Sequence, residues 1–174
     1  KVTGKKAGKA VVTAKVKGKT LKCKVTVTKK QAAKKNAKTA GKKNTTSDIS
    51  LQKKVISIVN KNRKKKGLNA LTMDEKLMKA AQDRAKELTK SFSHTRPNGT
   101  SCFTIFEKYK ITPTASGENI AAGQRSAAAV MDSWMNSPGH KENIMNNRFK
   151  KIGVGLVIVP NDMYSYYWVQ MFTE

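Results

Sequence analysis

The stretch Phe92-Ser93-His94-Thr95-Arg96-Pro97-Asn98-Gly99, with Gly117-Glu118-Asn119-Ile120 and Ser137-Pro138-Gly139-His140 through Asn143-Ile144 after it, decides how this chain folds. These segments hold both histidines of the protein and, between them in sequence, a carboxylate in a short conspicuous motif. Imidazoles ligate zinc, copper or nickel, and a carboxylate either joins them or orients one ring. His94, Glu118 and His140 are therefore the candidate catalytic or metal-binding residues. Their spacing is too wide to bring them together without a fold.

Working outward, the flanking sequence is helical first and extended later. Leu51, Val55, Ile58 and Val59 recur at helical spacing until Gly67, whose conformational freedom suits a helix end. Thr72 and Glu75 read as a capping box for a second helix. Its buried stripe is Leu77, Ala80, Ala81, Arg84, Ala85 and Leu88, and the small residues predict close approach to a sheet or helix. A short helix is expected around Cys102–Tyr109, anchored by Phe103 and Phe106, and another from about Ser126 to Met135 that buries Val130 and Trp134. Ser137-Pro138 opens a further short helix, with Ser as cap and Pro as first residue.

The period then changes to two. Ile152, Val154, Leu156 and Ile158 alternate with Gly153, Gly155, Val157 and Val159, and Pro160–Met163 turn the chain. The returning strand puts Trp168, Gln170 and Phe172 on one face and Tyr167, Val169 and Met171 on the other. Apolar residues on both faces mean that both are covered, which predicts an α+β sandwich around a central antiparallel sheet.

Charge divides the chain unevenly. Of the net +25, residues 1–47 carry +16 with no acid, and residues 48–174 carry +9. Such a surplus attracts polyanions and makes their binding sensitive to salt. An anionic cell-wall polymer or a surface protein is the expected partner. Nucleic acid is disfavoured, because the lysine runs lack interleaved aromatics, a recognition-helix pattern and zinc-finger spacing. No run reaches the length of a membrane span. Cys23 and Cys102 fall in separate segments and read as small buried hydrophobes rather than a disulfide.

Residues 9–28 read as a β-hairpin with its turn at Lys17-Gly18, and residues 29–48 as a Lys-rich linker. The hairpin, with Val11–Val16 and Leu21–Val27, resembles the closing strands of a bacterial immunoglobulin-like module. On that reading residues 1–28 are a remnant of such a module, residues 49–174 are the main domain, and a signal peptide lies upstream of this stretch.

The three motifs quoted at the outset, with Tyr167-Trp168-Val169-Gln170-Met171-Phe172, resemble the CAP superfamily of cysteine-rich secretory, antigen 5 and pathogenesis-related proteins. The resemblance implies an α-β-α sandwich, usually secreted, with two histidines and acidic residues meeting in a surface cleft. It makes His94 and His140 the cleft histidines, Glu118 the central carboxylate, and Asn119 and Asn143 hydrogen-bonding supports. A second carboxylate common in relatives has only Glu107 as its candidate between His94 and Glu118.

Three functional readings follow. One is a secreted or cell-surface binding module in which the His/Glu group is a polar network without turnover and no cofactor is required. A second is a hydrolase of peptide or ester bonds assisted by zinc or another divalent metal, for which His-Glu-x-x-His is missing. Ser93, Ser101 and Ser137 are its nucleophile candidates, although none sits in a nucleophile elbow. A third is a carrier of a small apolar ligand or lipid, with a groove beside the C-terminal hairpin. Arg96 is expected to pair with an acid or shape its loop, and Trp134 and Trp168 to be core.

Overall fold

The computed structural model describes residues 8–16, 19–27 and 46–174, with side chains from Asp48 onward. The expected turn at Lys17-Gly18, the linker before Thr46 and the side chains of the hairpin lie outside the described residues. The chain separates into two units, Lys1–Gly41 and Lys42–Glu174. In the first, strands β1 (Gly8–Val16) and β2 (Lys19–Val27) pair antiparallel from Gly8 opposite Val27 to Val16 opposite Lys19.

The second unit is an α-β-α sandwich. Helix α1 (Thr46–Lys65) ends where Gly67 adopts a left-handed φ of 72°, and Gly67 and Leu68 return hydrogen bonds to Lys64 and Arg63. Strand β3 is two residues, Thr72–Met73, and α2 runs Glu75–Leu88. The cap of α2 is Asp74, whose carboxylate accepts from Leu77 N at 2.9 Å. Thr72 does not cap it, because that residue is already committed to a strand two positions earlier.

A 3-10 turn at Cys102–Thr104 leads into α3 (Ile105–Lys108). Strand β4 (Ser116–Ala122), helices α4 (Ala127–Met135) and α5 (Pro138–Met145), and strands β5 (Lys151–Ile158) and β6 (Tyr166–Thr173) complete the unit.

The sheet order is β3-β5-β6-β4. It is mixed rather than antiparallel: Thr72-Met73 runs parallel to Lys151-Ile152, while β5–β6 and β4–β6 are antiparallel. A parallel partner needs a crossover, and the long segment from α2 to α5 supplies it. On one face Val55, Val59, Val130, Trp134 and Ile144 pack on Ile152, Val154, Trp168 and Phe172. On the other, Leu77, Ala81, Ala85, Leu88, Ile105 and Phe106 pack on Ile120, Val169 and Met171.

Glycines set the depth of α2 on the sheet. A Cβ on Gly153 would lie 2.2 Å from the Leu77 carbonyl carbon, and one on Gly155 2.1 Å from the Ala81 oxygen. Backbone therefore touches backbone there, and the small residues of the α2 stripe make the matching surface. Beyond β3 the outer edge of β5 is satisfied by side chains of α2. Met78 Sδ accepts from Val154 N, and the Gln82 amide both accepts from Leu156 N and donates to Leu156 O.

Candidate functional site

The site forms on the outer edge of β4, and strand alternation divides it. Glu118 lies opposite Met171 and so faces α2, while Asn119 lies opposite Gln170 and faces α4 and α5. Gly117 precedes them because α5 comes close: a Cβ there would meet Asn143 Oδ1 at 2.9 Å and the Phe149 ring at 3.0 Å.

On the α2 side the network is ionic. The Glu118 side chain is 1% exposed. Its Oε2 accepts from Arg84 Nε at 3.0 Å and its Oε1 bonds His94 Nδ1 at 2.8 Å. Arg84, fully buried, also donates to Glu87 at 2.5 Å and to the Ser93 carbonyl at 2.9 Å, which holds the loop carrying His94. Arg96 closes the chain of charges with Glu87 at 2.7 Å and donates to Thr104 Oγ1 at 2.9 Å. Burial pulls the Arg84 guanidinium down, but Glu118 and then Glu87 outweigh it and raise the value. Burial likewise opposes ionisation of Glu87, and hydrogen bonds from Arg96 and Arg84 overcome it, so that carboxyl is held below its ordinary range. Cys102 is a buried free thiol, pushed up to about 12 by burial first and by Glu118 second. A thiol so disposed toward its protonated form is a poor nucleophile.

On the α5 side the network is neutral. Asn119 Nδ2 donates to the His140 carbonyl and to Gln170 Oε1, both at 3.0 Å. Asn143 Nδ2 donates to Asn119 Oδ1 at 2.8 Å and to the Glu118 carbonyl at 3.2 Å. Ser137 precedes α5 without a side-chain cap bond; its hydroxyl pairs with His140 Nδ1 at 2.7 Å instead. Burial, and then the charge of His94, lower the His140 pKa.

Both rings are thus held through Nδ1, and neither Nε2 has a hydrogen-bond partner among the described residues. The residues do not fit a three-ligand metal centre, since both Glu118 oxygens are engaged. Among the described residues no group of three His, Cys, Asp or Glu could hold a metal ion. Ser137 and His140 stand at a nucleophile–base distance, yet the carboxylate of the group binds the other histidine, so no three-member relay runs through Ser137.

Glu107 lies exposed on α3 and makes none of these hydrogen bonds or ion pairs. The second acid in the network is Glu87, reached through Arg84. A cation inside the Ala/Leu stripe of α2 was the available signal, since a buried charge requires a partner. Trp134 and Trp168 are buried, and their indoles donate to Ile120 O and Gln124 O. A groove of about 450 Å³ lies between α1 and α2, lined by Ile49, Met73, Met78, Lys79 and Tyr109 among others.

A mixed sheet between two helical layers, with one histidine held on each side of an edge strand, defines a three-layer α-β-α domain. Residues 56–172 match the CAP family, described as the cysteine-rich secretory protein family, and the chain belongs to it. It is 39% identical over 126 residues to the uncharacterized protein YkwD of Bacillus subtilis, covering 68% of this chain and 49% of that protein. The chain thus spans about half the length of that relative. An outer surface protein of Borrelia burgdorferi superposes with a TM-score of 0.66 at 28% identity, covering 78% of this chain and 98% of that one. An extracellular protein containing an SCP domain from Bacillus anthracis shares the fold with a TM-score of 0.66 at 24% identity, covering 77% and 45%. Among the described residues no helix is long and apolar enough to cross a membrane.

Proposed function

We propose that the chain is an extracellular or cell-wall-associated CAP module that works by binding, with the cleft of His94, Glu118 and His140 as a recognition site. One observation carries this reading: Glu118 is buried with one oxygen on Arg84 and the other on His94, so the carboxylate positions a ring rather than a reacting group. Two imidazoles fixed through Nδ1, each with an unpartnered Nε2, are available to a ligand. Location is supported by the relatives described as an outer surface protein and as an extracellular protein. On this reading residues 1–28 are the end of an immunoglobulin-like module, 29–48 a basic linker and 49–174 the CAP domain. The partner of such a module is an anionic cell-wall polymer or a surface protein.

The test is retention of the full chain on purified anionic cell wall, alongside assay of peptide and ester reporter substrates with and without added zinc. Retention at low salt, release at high salt and no turnover are expected. Turnover abolished by either His94→Ala or His140→Ala would replace this reading with the hydrolase.

Zinc or another divalent ion is a second reading, favoured by one feature: each imidazole has its Nδ1 tied and its Nε2 free, as in second-sphere support of a ligand. Calorimetry of the intact protein with zinc, repeated on His94→Ala, checks it. The apolar-carrier reading has only the α1–α2 groove in its support.

A further inference from the structure

We propose that the exposed face of α1 is the polyanion-docking surface of the CAP domain, and that its occupant is a phosphodiester polymer of the cell envelope. The partner class rests on the binding-module reading above; the surface does not.

Between Asp48 and Asp74 the chain carries six lysines and one arginine and no acid. The arginine, Arg63, is 1% exposed and turned inward, while the lysines are exposed. Lys54, Lys61 and Lys65 follow one another at seven and four residues. At about 100° per residue they fall within roughly 40° of one line, and at 1.5 Å per residue the line is about 16 Å long. Lys64 flanks it. None of these ammonium groups is ion-paired among the described residues, whereas Lys86 and Lys108 on other elements both bind Asp83.

Lysines in a last turn ordinarily offset the helix dipole, which accounts for Lys64 and Lys65. It does not account for Lys54, in the body of α1, or for repulsion between Lys61 and Lys65 one turn apart. Arg63 extends the surface. Its guanidinium donates to the carbonyls of Ile144 and Asn146 at 2.9 and 2.8 Å, fixing the segment before β5 at the same end, where Arg148 and Lys150 are exposed.

A row of unneutralised ammonium groups suits a chain of repeated phosphates, which replaces several counterions at once. The α1 row has no aromatic side chain for stacking bases, its one arginine is buried, and the exposed Arg148 at its end lies 4.0 Å from the Glu174 carboxylate, which favours a polyol phosphate over nucleic acid.

The experiment compares three full-length proteins binding a soluble poly(glycerol phosphate) across a salt series: wild type, K54Q/K61Q/K65Q, and the charge-matched control K76Q/K90Q/K110Q. The lysines of residues 1–47 are common to all three, so the difference between the variants reads the α1 row. The row variant should bind at least about tenfold more weakly than the control, and its log–log salt slope should fall by about 2, at roughly 0.7 per lost contact. Circular dichroism confirms that both variants fold. Equal weakening of row and control overturns the docking surface while leaving the binding-module reading in place. No binding by the wild type overturns both. Loss of duplex DNA binding with polymer binding unchanged overturns the polymer as occupant.

Discussion

Glu118 and Asn119 are neighbours in β4, yet they anchor two hydrogen-bond networks built on different physics. The Glu118 half is a chain of charges, Arg96–Glu87–Arg84–Glu118, half-buried at Arg96 and Glu87, buried at Arg84 and Glu118, and ending on an exposed imidazole. The Asn119 half is a set of amides and one hydroxyl ending on a half-buried imidazole. The difference teaches where each half is vulnerable. Removing one member of a buried ion pair strands its partner, whereas removing a neutral hydrogen bond costs only the desolvation of what is left.

The sharpest way to break the contrast is Arg84→Ala, which strands Glu118 and frees the Ser93 carbonyl. It should cost about 3–5 kcal/mol in urea denaturation. A loss below about 1 kcal/mol would mean that the ionic half is dispensable. Asn119→Ala should cost less, about 1–3 kcal/mol by the same measurement, because Gln170 and Asn143 lose a partner but no charge is stranded. If Asn119→Ala proved the more damaging, the ranking of the two halves would be reversed.

Smaller effects separate the halves by titration. In a Cys23→Ser background the Cys102 thiol, buried against Glu118, should react with a disulfide reagent only as fast as the protein unfolds, and rapid labelling of that native protein at neutral pH would contradict its placement. His140 should titrate below the ordinary 6.5 in an NMR pH series. Its folded pKa is depressed, so its contribution to stability is complete above 6.5 and is lost as pH falls through the lowered value. His94→Gln removes the secondary, electrostatic cause and should raise the His140 value part of the way. A His140 resonance unmoved by that change would separate the two rings.

Much of this architecture could be read along the chain. The C-terminal hairpin, with Trp168 and Phe172 on one face and Val169 and Met171 on the other, followed from two-residue alternation alone. So did the Gly67 helix end and the short helix behind Pro138. Strand β4 was hidden because Gly117–Ala122 has neither alternation nor a run of β-branched residues; pairing with β6 makes it a strand. The parallel strand β3 was hidden for the same reason, being two residues held only by β5.

The sequence by itself determined the helices and the C-terminal hairpin, though not β3 or β4, because helix periodicity, strand alternation and turn residues are encoded between near neighbours. It also singled out His94, Glu118 and His140, and the CAP resemblance of its motifs added Asn119 and Asn143. Only the tertiary structure decided which groups hold them. Arg84 reaches Glu118 across 34 positions, Glu87 rather than Glu107 enters through it, and Ser137 gives its hydroxyl to His140. A buried charge takes its partner from whatever the layers bring within about 3 Å, and that distance is set by packing α2 onto Gly153 and Gly155, not by separation along the chain.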